Sequence, residues 1–158
     1  MIPDRALDTR ELDYILSRHL PCIYRGVYSS DLLPVVTNFK LPWGIMVNTD
    51  CSHGPGIHWQ CWYKSTDGII HHFDSYGLPT KKLKLLHFLQ TNSKGGHWTM
   101  QRRKIQGEFS HYCAHYCIYF MLVRSKTPLN VSDYNLMLDV NDSNIMEKLN
   151  RLLCKRMF

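Results

Sequence analysis

Cys113 opens the run CAHYCIYFMLVR, which is apolar almost throughout. A helix without a polar face is normally buried in the middle of a domain. If the helix starts where the apolar run starts, the Cys113 thiol sits among unpaired backbone N–H groups at the positive end of the helix dipole. Such surroundings favour a thiolate over a thiol. A thiolate that attacks a carbonyl carbon wants a histidine to hold and return the proton, and a carboxylate to orient that histidine. Upstream, GIHWQCWYKSTDGIIHHFDSYG, residues 56–77, carries His58, His71, His72 and Asp74. Two apolar strands joined by the Ser-Thr-Asp-Gly turn would bring His58 and Asp74 together from neighbouring strands. His72 shares a strand face with Asp74 and is read as structural. Acyl transfer also needs donors for the developing oxyanion. Gln106 lies seven positions before Cys113, on a glycine-containing connector that can fold back. The backbone N–H of Cys113 is the second candidate donor.

The elements that must position these groups can be read in order. Asp8 and Glu11 have capping-box spacing, and Leu7, Leu12, Ile15, Leu16 and Leu20 supply an apolar stripe for a helix that Pro21 ends. Residues 22–42 read as irregular. Trp43–Val47 is an apolar strand, NTDCSHGPG a loop, and His58–Tyr63 and Ile69–Asp74 the hairpin strands. Residues 81–90 form a short amphipathic helix, and Trp98–Ile105 an alternating strand. QGEFSHY connects to the buried helix. A last helix covers 142–154, capped by Asp142 or Ser143. This order predicts one α+β domain over 1–158, with a mixed central β-sheet packed against the nucleophile-bearing helix.

Composition sets the bounds. With 44% apolar and 20% charged residues, the chain is of globular type. No run reaches the length of a membrane span, and the N-terminus shows no secretory core, so no membrane partner and no export are expected. A reducing compartment makes the six cysteines thiols. The net charge of +6 is concentrated around Lys81, Lys82 and Lys84, around Lys94, Arg102, Arg103 and Lys104, and around Arg151, Lys155 and Arg156. Such clusters serve solubility or attract polyanions. His111/His115 and Cys113/Cys117 have the i,i+4 spacing of metal ligands, but no second ligand knuckle accompanies them, and no metal is expected. A zinc-stabilised or nucleic-acid-binding interaction module is the non-enzymatic alternative.

Together, GIHW (His58, Trp59), FDSYG (Asp74, Gly77) and QGEFSHYC (Gln106, Cys113), in this order, resemble the adenain-type cysteine proteases. These are the adenovirus maturation protease and its relatives in polinton-like and adintovirus-like elements. The SUMO-deconjugating proteases are more distantly similar. The resemblance covers roughly residues 5 to 125. It implies a papain-like fold with inverted order of the catalytic elements. It implies His58 as base, Asp74 as orienting acid, Gln106 as oxyanion donor and Cys113 as nucleophile, with Gly56 and Trp59 lining a narrow substrate groove. The implied activity is endoproteolysis of viral or mobile-element capsid precursors at glycine-containing sites, by a monomer in the virion and the host nucleus or cytoplasm. A deconjugating protease for a ubiquitin-like modifier would use the same groove. No cofactor is required. DNA, held by Arg102, Arg103 and Lys104, and a capsid-derived peptide are the implied activators. The chain departs from the family in having Ala114 where glycine usually follows the nucleophile. It also has Asp rather than the Glu of adenovirus proteases, and no cysteine in GGHWTMQRRKI to hold an activating peptide.

Overall fold

The computed structural model describes residues 1–54, 56 and 58–155. Pro55 of the anticipated loop, Ile57 of GIHW and Arg156 of the last basic cluster lie outside the described residues. In chain order the elements are α1 (Thr9–His19), β1 (Tyr24–Ser29), β2 (Trp43–Asn48), β3 (Trp59–Lys64), β4 (Ile70–Phe73), α2 (Leu83–Asn92), a single 3₁₀ turn (Lys94–Gly96), β5 (Trp98–Met100), α3 (Cys113–Arg124), α4 (Asp133–Leu136) and α5 (Ile145–Lys155). The strands lie in the order β1-β2-β3-β4-β5. The outer pairs β1/β2 and β4/β5 are parallel, and β2/β3 and β3/β4 are antiparallel. This is the mixed sheet of the anticipated α+β class.

Strand alternation explains why the sheet is covered on both faces. On one face Met46, Cys61, Tyr63 and Phe73 pack under α3, with α1 and α5 completing the layer. On the other, Ile45, Val47, Trp62 and Ile70 meet Leu85, Phe88 and Leu89 of α2. The rings of Phe73 and Phe120 stack at 4.7 Å between centroids, fixing α3 to β4. Truncating Phe120 would cost about 3–5 kcal/mol by the usual scale for buried aromatics. At Gly44 the helix comes so near the sheet that a Cβ would stand 2.8 Å from Met121 Sδ.

α1 begins as its sequence predicts. Asp8 accepts from the Glu11 N–H, and the Glu11 carboxylate accepts from the Asp8 N–H. Three expectations are corrected. Residues 22–42 contain β1, an edge strand with a register irregularity between Tyr24 and Val27 and a positive φ at Gly26; its residues do not alternate, so no period marks it. The strand expected over Trp98–Ile105 ends at Met100, because the Gln101 side chain bonds the backbone of Arg103 and Asp74 in place of a ladder partner. The last helix starts at Ile145 rather than 142, and Asp142 faces the connector before α3 instead of capping.

Candidate active site

Cys113 is the first residue of α3. The first helical bond there runs from the Tyr116 N–H to the Tyr112 carbonyl, leaving the N–H groups of Cys113, Ala114 and His115 ahead of it. His58 stands one residue before β3 and Asp74 one residue after β4. Both were expected inside the strands. Because β3 and β4 are antiparallel, with Cys61 opposite Phe73, these flanking positions converge at one end of the sheet. There His58 Nε2–H donates to Asp74 Oδ1 at 3.1 Å, and the His58 side chain also hydrogen-bonds Cys113. With Nε2 taken by the carboxylate, Nδ1 is the nitrogen left for the sulfur.

Burial opposes charge on His58, but the bonds to Asp74 and Cys113 and their charges outweigh it. The imidazole pKa is raised to about 9. Burial likewise works against the Asp74 carboxylate. The His58 bond and charge, the Gln60 amide and the Tyr76 N–H reverse that, and its pKa lies below the ordinary value. The Tyr76 ring lies 4.8 Å from the His58 ring and covers one side of it. By contrast His72 is fully buried, and desolvation drives its pKa down to about 4. It is neutral at physiological pH.

Gln106 is buried on the connector. Its Oε1 accepts from Ser75 Oγ at 2.5 Å, and its Nε2 donates to the Ser110 carbonyl at 2.9 Å. Since a carboxamide nitrogen carries two hydrogens, one remains. The Ser75 carbonyl accepts from the N–H groups of Ile105 and Gln106, so Ser75 fixes both the backbone and the side chain of Gln106. Asp142 holds the other end of the connector by accepting from the Gly107 N–H, Ser110 Oγ and Tyr116 Oη. Gly77 adopts φ 66°, and a Cβ there would meet the Arg102 carbonyl at 2.5 Å, so this crossing demands glycine.

His58 and Cys113 open onto a cleft of about 600 Å³. Its walls include Trp59, Gly56, the start of α1 and Val27–Ser29 of β1. Trp59 is almost wholly buried, so its role there is packing and wall rather than chemistry. Sequence reasoning missed three contributors: Gln60, which donates to Asp74 Oδ2 at 2.9 Å, Ser75 and Asp142. Gln60 and Ser75 were legible only as polar residues inside otherwise apolar or motif-bearing runs.

At 20% sequence identity and a TM-score of 0.51, the chain superposes on the selenomethionine crystal structure of the ASFV pS273R protease. The chain has the fold of a protease. The match covers 70% of this chain and 43% of that one, so the chain spans less than half the length of that enzyme. No family model and no curated protein matches the sequence.

The other anticipated site residues lie elsewhere. Arg102, Arg103 and Lys104 are not on a strand. Arg103 donates to the carbonyls of Met137 and Leu138 and packs over the Tyr134 ring, and Lys104 pairs with Glu108 at 3.6 Å. Arg103 thereby ties the connector to the end of α4. His111 Nε2 and Tyr112 Oη bond Asp4, while His115 Nε2–H donates to the Pro3 carbonyl. Among the described residues no group of three or more His, Cys, Asp or Glu gathers to hold a metal ion. All six cysteines are free thiols.

Proposed function

We propose that the chain is a cysteine endopeptidase with Cys113 as nucleophile, His58 as base and acid, Asp74 as orienting carboxylate and Gln106 as oxyanion donor. One observation carries the reading: the thiol at the first turn of a buried helix is bonded to an imidazole that is itself bonded to a buried carboxylate, at the edge of an open cleft. The Cys113 proton passes to His58 Nδ1, giving a thiolate–imidazolium pair. The thiolate attacks the scissile carbonyl carbon, and the oxygen that becomes negative takes the Cys113 N–H and the free Gln106 N–H. His58 returns the proton to the leaving amine as the C–N bond breaks. Water, deprotonated by His58, then hydrolyses the thioester and restores the thiol.

The substrates we infer are capsid precursors of a virus or mobile element, cut at glycine-containing sites. The Trp59 wall beside the nucleophile suits a thin chain. The likeness in fold to a protease of ASFV supports the class of reaction. DNA and a precursor-derived peptide are candidate activators, with Arg102 and Lys104 better placed than Arg103 to meet a polyanion.

The test is incubation with precursor proteins encoded beside this gene, followed by mapping of new termini. Cleavage by the wild type and none by Cys113→Ala or His58→Ala is the expected result. Cleavage that survives Cys113→Ala would overturn the assignment. Release of a ubiquitin-like tail ending in Gly-Gly, with precursors untouched, would transfer the same chemistry to deconjugation.

A further inference from the structure

A buried polar chain runs from the reactive pair into the opposite face of the sheet. Gln60 is 3% exposed and follows His58 by two residues, on β3. Its Nε2 donates to Asp74 Oδ2 at 2.9 Å. Its Oε1 accepts from Trp62 Nε1 at 3.2 Å and from His72 Nε2 at 3.1 Å. A carboxamide can be turned either way round, but an indole N–H only donates. Trp62 therefore requires the oxygen on its side and sends the NH₂ toward Asp74. His72 acts in the same sense. Its Nδ1 has no partner and is buried, so the ring sits as the neutral Nε2–H tautomer and donates to the same oxygen. The Trp62 ring packs against Phe88 at 5.2 Å, which fixes the donor itself. Asp74 thus has its two oxygens committed: Oδ1 to His58 and the Tyr76 N–H, Oδ2 to Gln60.

We propose that Gln60 is a positioning residue of the candidate site: its carboxamide, locked by Trp62 and His72, keeps the Asp74 carboxylate ionised and turned edge-on to His58. The proposal rests on the reading of His58 and Cys113 as the reactive pair. Without Gln60, Oδ2 would be a buried carboxylate oxygen with no donor, which favours protonation of Asp74 or its rotation away from His58. The titratable groups facing Asp74 are His58, His72, the Tyr76 hydroxyl and, from α3, the Cys117 thiol. None of the four side chains supplies Oδ2 with a hydrogen bond.

The experiment measures the alkylation rate of Cys113 by iodoacetamide from pH 5 to 9, read by peptide mapping. It compares wild type, Gln60→Met, Asp74→Asn and the double variant. Methionine keeps the length of glutamine and removes the donor; Gln60→Leu repeats the measurement if methionine unfolds the protein. Gln60→Met is expected to slow alkylation at pH 6 about tenfold, the worth of one charge-assisted bond. The acid limb of its profile moves up by roughly one pH unit. In the Asp74→Asn background the same change should alter the rate less than twofold, because the group it acts through is gone. An equal loss in both backgrounds, or rates within twofold of wild type, would overturn the proposal. Where precursor cleavage is observed, Gln60→Met should lower kcat and leave KM. If no precursor is cleaved but alkylation keeps this dependence, the endopeptidase reading fails and the positioning role stands.

Discussion

The most direct consequence of the site geometry is the ionisation of His58. An imidazole ordinarily titrates near 6.5, and burial alone would lower that value. Here burial is outweighed by the bonds and charges of Asp74 and Cys113, and the pKa rises to about 9. The rise corresponds to roughly 3 kcal/mol of preference for the imidazolium in the folded protein, an order-of-magnitude figure for a side chain only 12% exposed. The sign is set by linkage. The stabilisation is complete below about pH 6.5, where the unfolded histidine is also charged, and is lost as pH rises through about 9. NMR titration of the His58 ring in wild type, Cys113→Ala and Asp74→Asn tests this directly. Wild type should titrate near 9. Asp74→Asn should lower that value more than Cys113→Ala, since the Asp74 bond outranks the Cys113 bond among the contributions that raise it. In cleavage, which needs the imidazolium to protonate the leaving amine, the wild-type basic limb should lie near pH 9 and move down in Asp74→Asn. A His58 ring titrating near 6.5 in the wild type, or one indifferent to Asp74→Asn, would refute the ion-pair reasoning.

Gln106→Ala should lower kcat about 100- to 1000-fold with little change in KM, the usual loss for one oxyanion donor; Ser75→Ala should act in the same direction and more weakly, as steady-state kinetics on a cleaved peptide would read. Asp142→Ala leaves the Gly107 N–H, Ser110 Oγ and Tyr116 Oη without their acceptor, and should cost about 1–3 kcal/mol in urea unfolding. Arg124→Met removes the permanently charged partner of the buried Asp133 carboxylate and leaves it to His71 and Thr99, and should cost about 3–5 kcal/mol. Because burial opposes but these donors depress the Asp133 pKa, its contribution is present above the ordinary carboxylate range and is lost as pH falls through the depressed value. Acid unfolding of Arg124→Met should accordingly begin at higher pH than that of the wild type.

Features determined by local patterns were legible in the sequence. The α1 capping box, the apolar α3 and the β3–β4 hairpin are each written in a few neighbouring residues, and their outlines agree with the structure. The convergence of His58 with Asp74 followed from the hairpin alone. Elements whose identity depends on distant partners were not legible. β1 is a strand because β2 lies beside it in parallel, and its own residues show no alternation. β5 stops at Met100 because one glutamine side chain captures backbone 2–27 residues away. Asp142 looked like a helix cap because aspartate commonly is one, and the connector it binds is 32–35 residues earlier. Arg103 looked like surface charge because nothing nearby announced that its guanidinium would meet the end of α4. Basic residues in sequence clusters carry no sign of which are already spent inside the fold.

Four consecutive residues, the last of β4 and the three that follow it, hold the site together. Phe73 ends β4 and stacks on Phe120 of α3, which locks the strand to the helix that begins with Cys113. Asp74 turns to the opposite side and takes His58 and Gln60. Ser75 takes the carboxamide and backbone of Gln106, and Tyr76 returns its N–H to Asp74 while its ring covers His58. His58, Asp74, Gln106 and the helix that begins with Cys113 are therefore each referred to one short stretch of backbone. A displacement of that stretch would move Asp74, Gln106 and the seat of α3 together, and their mutual geometry would change little. Geometry that must hold to within a few tenths of an ångström is best referred to a single short stretch anchored on a rigid element, and the turn that leaves the end of β4 supplies it. The cleft walls from α1 and β1 attach to other parts of the fold. Substitutions there can reshape what enters the cleft without disturbing the groups that would react.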